Sequence, residues 1–301
     1  MFNRRNKLLL LKVLSLFSVV RGYNILVIAL AQYLASIYIL APDLPVRKVV
    51  FDINLFVIIV ASAMVIAGGY IINNFYDAEK DLINKPRKSM LDRLVSQRFK
   101  LTTYFVLNFL AVIAASYVSF RAVFFFSSYI FGIWLYSHKL KRVPFLRISI
   151  SPKLSMQPFF VVFVYYKNFE SVIFVHAVFL FLLILAREIV KDLENISGDL
   201  AQNYSTIPII YGAKTSKIII SLLIFMTLIP SLLLIFRFDV GYMSFYFGIC
   251  VLLLILFVFL LLKAQSRKDY VWLHNILKLI IVVGVFSILL IDVNLVLNRI
   301  L

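Results

Sequence analysis

Nine apolar stretches divide this 301-residue chain, each able to cross a hydrocarbon layer of roughly 30 Å as an α-helix, the shortest of them marginally. They run 23–41, 52–73, 102–120, 122–138, 155–170, 171–188, 215–236, 243–262 and 276–297. A soluble domain of this length has no interior large enough for such a chain: 63% of residues are hydrophobic, 15% are charged and the mean hydropathy is +0.99. The expected fold is all-α, a polytopic integral membrane protein forming one domain over 1–301. Aromatic residues make up 16%, enough for interfacial belts and for rings that could line a pocket.

The formal charge of +17 would suggest a nucleic-acid partner in a soluble chain. Here the basic residues lie in short loops between apolar stretches, and no nucleic-acid partner is expected. Of the 31 Lys and Arg residues, 25 fall in the N-terminal segment and in 75–100, 139–153, 187–217 and 263–278, and six in the alternate segments. The positive-inside rule therefore places the N-terminus and those loops in the cytoplasm. An odd number of spans leaves the C-terminus external, in a plasma membrane of bacterial or archaeal type. Over 1–22, Arg4 and Arg5 precede Leu8–Leu11, but Lys12 interrupts the apolar run and no small-x-small cleavage site follows. The segment reads as a basic interfacial helix leading into the first span. Cys250 stands alone, so no internal disulfide can form, and His138, His176 and His274 are too scattered for zinc.

Eight of the fourteen acidic residues lie in two of the cytoplasmic segments, 75–100 and 187–217. The first run, Asn73-Asn74-Phe75-Tyr76-Asp77-Ala78-Glu79-Lys80-Asp81, closes the second span. Asp77 and Asp81 are four apart and Asn73 lies one turn earlier, so on a helix the three share a face. Asp at a helix C-terminus opposes the macrodipole, which makes a purely structural role a poor explanation. Acids beside a membrane span are costly to hold without a compensating cation. Oxygen-only ligands suit Mg²⁺, which takes one or two protein carboxylates and completes its shell with phosphate oxygens. In the second run, Arg187 to Asp199, positions 188, 192, 195 and 199 are spaced four, three and four, again one helical face. Two such faces on one side of the membrane could clamp a Mg²⁺-diphosphate group between them.

These residues resemble the UbiA-type intramembrane polyprenyltransferases. Asn73-Asn74-x-x-Asp77-x-x-x-Asp81 is similar to the family's N-D-x-x-D-x-x-x-D motif. Arg187-Glu188-x-x-Lys191-Asp192, Gly198-Asp199 and Thr206-Ile207-Pro208 resemble its second motif, most closely in the geranylgeranylglycerol-phosphate geranylgeranyltransferase-like branch. Tyr136-Ser137-His138-Lys139-Leu140-Lys141-Arg142-Val143-Pro144 resembles its Y-S-x-x-L-K-R-x-P segment, and Arg21-Gly22-Tyr23-Asn24 its R-x-x-N entry to the first span. The motifs keep the family's order over roughly residues 20 to 210. Three positions depart from it: Asn74 replaces an Asp, Asn195 replaces the first Asp of the second D-x-x-x-D, and the basic R-P segment reads Lys85-Pro86-Arg87-Lys88.

The resemblance implies nine transmembrane helices around a central cavity, with both motifs at its cytoplasmic mouth. It implies transfer of a polyprenyl group from a polyprenyl diphosphate to an electron-rich lipophilic acceptor, either an aromatic or quinone precursor or a prenylglycerol phosphate. Asp77, Asp81, Asp192 and Asp199 would carry catalysis. Asn73, Asp77 and Asp81 would hold one Mg²⁺, and Asp192, Asn195 and Asp199 a second. Arg21, Asn24, Lys139, Lys141, Arg142 and Lys191 would bind the diphosphate. The partners would be the two substrates and membrane lipids. A membrane alcohol phosphotransferase also joins spans to Asp-rich motifs, but no Asp here is followed by Gly, as its D-G-x-x-A-R signature requires. A transporter would carry ionisable groups near span midplanes, and these spans are almost uncharged.

The charge asymmetry makes a topological prediction. Accessibility tags near Lys88, Lys141 and Gln202 should all report the cytoplasm, and one near Leu301 the outside. Tags at 88 and 202 on opposite faces would separate the two acidic runs and exclude a shared site.

Overall fold

The computed structural model describes residues 4–293, and among these there are helices and no strands. In order these are α1 (Arg4–Val19), α2 (Gly22–Ala35), α3 (Val46–Val50), α4 (Ile53–Tyr76), α5 (Ala78–Asn84), α6 (Pro86–Asp92) and α7 (Gln97–Val118). There follow α8 (Phe120–His138), α9 (Pro144–Tyr166), α10 (Ser171–Glu194), α11 (Ile196–Ala201), α12 (Ile207–Phe236), α13 (Met243–Lys263) and α14 (Arg267–Ser287). Eight of the described helical segments are long and apolar enough to cross a membrane. The remaining expected span, 155–170, is realised as α9, which begins eleven residues earlier and carries Arg147, Pro152, Lys153 and Pro158. The last span starts at Arg267 rather than 276, because Ser266 and Asp269 form a reciprocal capping box there. Residues 294–297 of that expected span, and the C-terminus expected outside, lie beyond the described residues, as do the first three residues of the basic N-terminal segment.

By their contacts the residues gather into two compact units. The first contains the described residues up to Leu30, Asp52–Val143 and Ser197–Tyr204. Its axis is α4, which packs along α7 and α8. Asp52 starts α4 by accepting bonds from the amides of Asn54 and Leu55. Small residues let its neighbours approach: a Cβ at Gly68 would lie 3.0 Å from Asn108 Oδ1 on α7, and one at Gly69 would lie 3.1 Å from Ile133 on α8. At its far end α4 stops at Tyr76, and Asp77 takes φ −96° and ψ 7° before α5 begins. The Asp77 N–H still reaches Asn73 O at 2.9 Å and the Asp81 N–H reaches Asp77 O at 2.8 Å, so the one-turn spacing of the three motif residues survives the break.

The second unit contains Ala31–Phe51, Pro144–Ile196 and the described residues from Ser205 onward. Here α10 packs against α12, α14 and α9, over a core that includes Leu183, Ile189, Ile220, Leu254, Phe257 and Leu277. Buried Gln32 donates to Pro158 O at 2.7 Å, a polar tie beside a proline that breaks the helical ladder. Gly212, at φ 80° and ψ 165°, kinks α12, so its long apolar part begins just beyond it, as hydropathy anticipates. Helix α10 ends at Glu194, with Asn195 at φ −110° and ψ 14°. The single face expected for positions 188, 192, 195 and 199 is therefore interrupted: Glu188 and Asp192 lie on α10, Asn195 at its end, and Asp199 on α11 within the first unit.

The packing of α4 is testable by overfilling it. Gly68→Leu should lower the thermal unfolding midpoint in detergent, at a cost of about 1–3 kcal/mol. Gly248→Leu, on α13 with nothing within 4 Å of its would-be Cβ, should leave the midpoint unchanged. Equal tolerance of both would contradict the close approach of α4 and α7.

Candidate active site

In the first unit, the end of α4, the short α5, the turn after α8 and the segment from Ser197 to Tyr204 converge on Asp77. Helix α8 ends at His138, and a 3₁₀ turn over Leu140–Arg142 carries the basic loop back. That turn buries Lys141, whose Nζ lies 2.8 Å from Asp77 Oδ1 and 3.2 Å from Asn73 Oδ1. Nearby Lys139 and Arg142 are exposed, with the Arg142 guanidinium 5.7 Å from the Tyr204 ring centroid. The Tyr204 hydroxyl donates to Asp77 Oδ1 at 3.0 Å. Burial, and next the Asp77 charge, raise the pKa of this phenol well above its usual value, so it stays protonated as a donor.

Asp199 is completely buried and its Oδ1 lies 2.5 Å from Lys80 Nζ. The same ammonium stands 4.6 Å from the Tyr204 ring centroid, a cation–π contact on its other side. Asn84 Oδ1 accepts from the Gly198 N–H at 3.1 Å, and a Cβ at 198 would collide with that side chain. Glycine at 198 therefore allows α11 to close onto α5 and brings Asp199 to Lys80.

At the start of the first span, Arg21 adopts φ 50° and its guanidinium lies 5.1 Å from the Tyr70 ring centroid, while Asn24 Nδ2 donates to the Tyr70 hydroxyl at 3.3 Å. Lys88, from the segment standing where the family has R-P, feels Arg21, Asp92 and Asp81. Its pKa is lowered, mainly by burial and then by Arg21. Asp81 is half-buried on α5. The first unit thus contains Asn73, Asp77, Asp81, Asp199, Arg21, Asn24, Lys139, Lys141 and Arg142 from the residues expected to form the site.

Asn74, a departure from the family motif, has a local reason. Its amide nitrogen donates to Asp92 Oδ2 at 3.0 Å, and its oxygen accepts from Lys100 Nζ at 2.9 Å. Asp92 also accepts from Ser18 Oγ at 3.3 Å, so the network ties α1, α4, α6 and α7. Only a group that both donates and accepts can bridge a carboxylate and an ammonium in this way.

In the second unit, Arg147 grips Asp192 at 2.5 Å, with both side chains buried. Lys191 lies 3.2 Å from Glu188, and Asn195 Nδ2 donates to Lys191 O at 2.6 Å. His274 meets Glu194 at 2.8 Å. Arg147, Lys80, Tyr204 and Asn84 escaped the sequence reading. Lys80 alone had a signal, since it lies within the first acidic motif, three residues after Asp77.

Residues 29–281 match the UbiA prenyltransferase family, and the chain belongs to that family: it is a membrane prenyltransferase. Among curated relatives, the digeranylgeranylglyceryl phosphate synthase of Thermococcus gammatolerans is 31% identical over 225 residues, covering 74% of this chain and 80% of the relative. That of Methanobrevibacter smithii is 28% identical over 238 residues, covering 75% and 80%. A solved structure concerned with digeranylgeranylglyceryl phosphate synthase in membranes shares the fold, with a TM-score of 0.69, 22% identity and coverage of 92% and 97%. So does a UbiA homologue from Archaeoglobus fulgidus bound to DMAPP and Mg²⁺, with a TM-score of 0.66, 12% identity and coverage of 91% and 98%.

The donor chemistry of the first motif fits one such ion. Asn73, Asp77 and Asp81 supply hard oxygens one helical turn apart, and although Lys141 pairs with Asp77, Asp81 lies in no ion pair among the described residues. Among the described residues no group of three or more His, Cys, Asp or Glu could hold a metal, so amide, phosphate and water oxygens would have to complete the shell. The second set does not fit a second ion. Asp199 is paired with Lys80, Asp192 with Arg147, and Asn195 contributes no charge.

Restoring the family's residue at 74 tests the local network. Asn74→Asp would set two carboxylates against each other at Asp92 and should destabilise the protein by roughly 1–3 kcal/mol. Adding Asp92→Asn should recover most of the lost unfolding midpoint, because donor and acceptor are exchanged. A fully stable Asn74→Asp protein would contradict the bridge.

Proposed function

We propose that this chain transfers a polyprenyl group from a prenyl diphosphate to the hydroxyl of a prenylglycerol phosphate, giving a diprenylglyceryl phosphate. The names of the curated relatives support this acceptor over an aromatic one. The observation that carries the diphosphate half of the reading is Asp77, a buried carboxylate held by Lys141 and Tyr204 beside the motif residues Asn73 and Asp81.

Asn73, Asp77 and Asp81 would hold Mg²⁺. When bound, the ion would act as a Lewis acid toward the diphosphate and favour its departure. Lys141 sits where it can turn from Asp77 toward a diphosphate oxygen, and Arg142 and Arg21 add positive charge for the same group. In the reaction the allylic C–O bond breaks, the diphosphate leaves with the electron pair, and the acceptor oxygen forms the new C–O bond as its hydroxyl loses a proton. The faces of Tyr70 and Tyr76 already lie against cationic groups, Arg21 at 5.1 Å and Lys141 at 5.8 Å. Ring faces of this kind can stabilise an allylic cation. The distribution of Lys and Arg supports a cytoplasmic position for this site, facing soluble Mg²⁺.

The test is mass spectrometry of products from membranes containing the chain, supplied with labelled geranylgeranyl diphosphate and either geranylgeranylglyceryl phosphate or a phenolic acid. The expected result is a labelled diether phosphate, formed only with Mg²⁺ or Mn²⁺ and abolished by chelator and by Asp77→Ala. Product formed in excess chelator would overturn the metal assignment, and exclusive prenylation of the phenol would overturn the acceptor.

A further inference from the structure

We propose that Lys80 is the resident cation of the second acidic motif, filling the place beside Asp199 that a second divalent ion would otherwise take, so that this prenyltransferase works with a single metal ion. The inference rests on the reading that the first motif binds a metal together with a prenyl diphosphate. Three independent features of the chain point to it.

The first is the placement of the ammonium. Lys80 Nζ lies 2.5 Å from Asp199, whose side chain is fully buried, and the Tyr204 ring lies against it at 4.6 Å. Tyr204 is itself fixed by its hydrogen bond to Asp77, so the lysine is positioned from two sides by groups of the site. The second is the backbone that delivers Asp199. The Gly198–Asn84 contact closes α11 onto α5, the helix that carries Lys80, and leaves no room for a side chain at 198. The third is charge. Position 195 carries an amide whose nitrogen is committed to Lys191 O, and Asp192 is committed to Arg147. A second divalent ion would find one carboxylate at Asp199 and would have to evict a buried lysine to use it. An ion needs several charged oxygens to offset its lost hydration, and the two carboxylates of this motif are held in internal ion pairs.

A fixed ammonium beside the leaving group would supply positive charge without a binding step. It would also make the enzyme's metal dependence first order.

The experiment counts Mn²⁺ by electron paramagnetic resonance on the purified chain in nanodiscs, saturated with geranylgeranyl thiodiphosphate. The wild-type protein should hold one Mn²⁺ per chain, and K80R should also hold one. K80Q, checked for folding by its unfolding midpoint, should hold two, with turnover at low metal reduced at least tenfold and rising with the square of metal concentration. Two ions in the wild-type protein would overturn the proposal, and so would a folded K80Q that holds only one. If K80Q does not fold, the wild-type count decides alone. No bound ion in the wild-type protein would instead sink the reading of the first motif on which the proposal rests.

Discussion

A carboxylate taken out of water at a membrane boundary needs a cation, and this chain supplies its own. Asp77 is matched by Lys141, Asp199 by Lys80 and Asp192 by Arg147, each pair buried and within 2.8 Å. Removing one partner of such a pair typically costs about 3–5 kcal/mol, a large share of a membrane protein's stability margin. The pairs therefore decide where the backbone goes. Lys141 holds the turn after α8 to the end of α4, and Lys80 holds α5 to α11.

The same pairing prepares the first unit for an anionic substrate. If a diphosphate binds at Asp77 as proposed, it would meet Lys141 already buried and oriented, so little reorganisation would be required to stabilise a leaving group. The tyrosines take part in both roles: Tyr204 keeps Asp77 in place through its hydroxyl and steadies Lys80 through its ring. The chain belongs to the UbiA prenyltransferase family, and the proposal of a diphosphate site at Asp77 accords with that membership. Asn74 bridges Asp92 and Lys100, and in the second motif Asp199 is paired with Lys80 and Asp192 with Arg147.

Hydropathy revealed most of the spans because eight of the described helical segments are long and apolar enough to cross a membrane. It displaced α9, since Arg147, Lys153 and two prolines dilute its apolar signal. The breaks at Asp77 and Asn195 were not legible, because residue spacing is blind to a single non-helical φ/ψ pair. At Asp77 the four-residue hydrogen bonds continue through the break, and the expected grouping of Asn73, Asp77 and Asp81 survives; at Asn195 the run is divided. Lys141 and Asp199 were marked by their motifs. Tyr204 and Arg147 were not, because each reaches its partner across tens of residues of sequence, 127 for Tyr204 and Asp77, and no local pattern announces such a contact.

The central claim is that Asp77 and Asp81 together form the metal and diphosphate site. It is tested most directly by a crystal structure of the chain with Mn²⁺ and geranylgeranyl thiodiphosphate, using anomalous scattering to locate the ion. The account predicts an anomalous peak bonded to carboxylate oxygens of Asp77 and Asp81, with the diphosphate in contact with Lys141. An anomalous peak remote from both carboxylates, or a diphosphate bound away from Lys141, would contradict it.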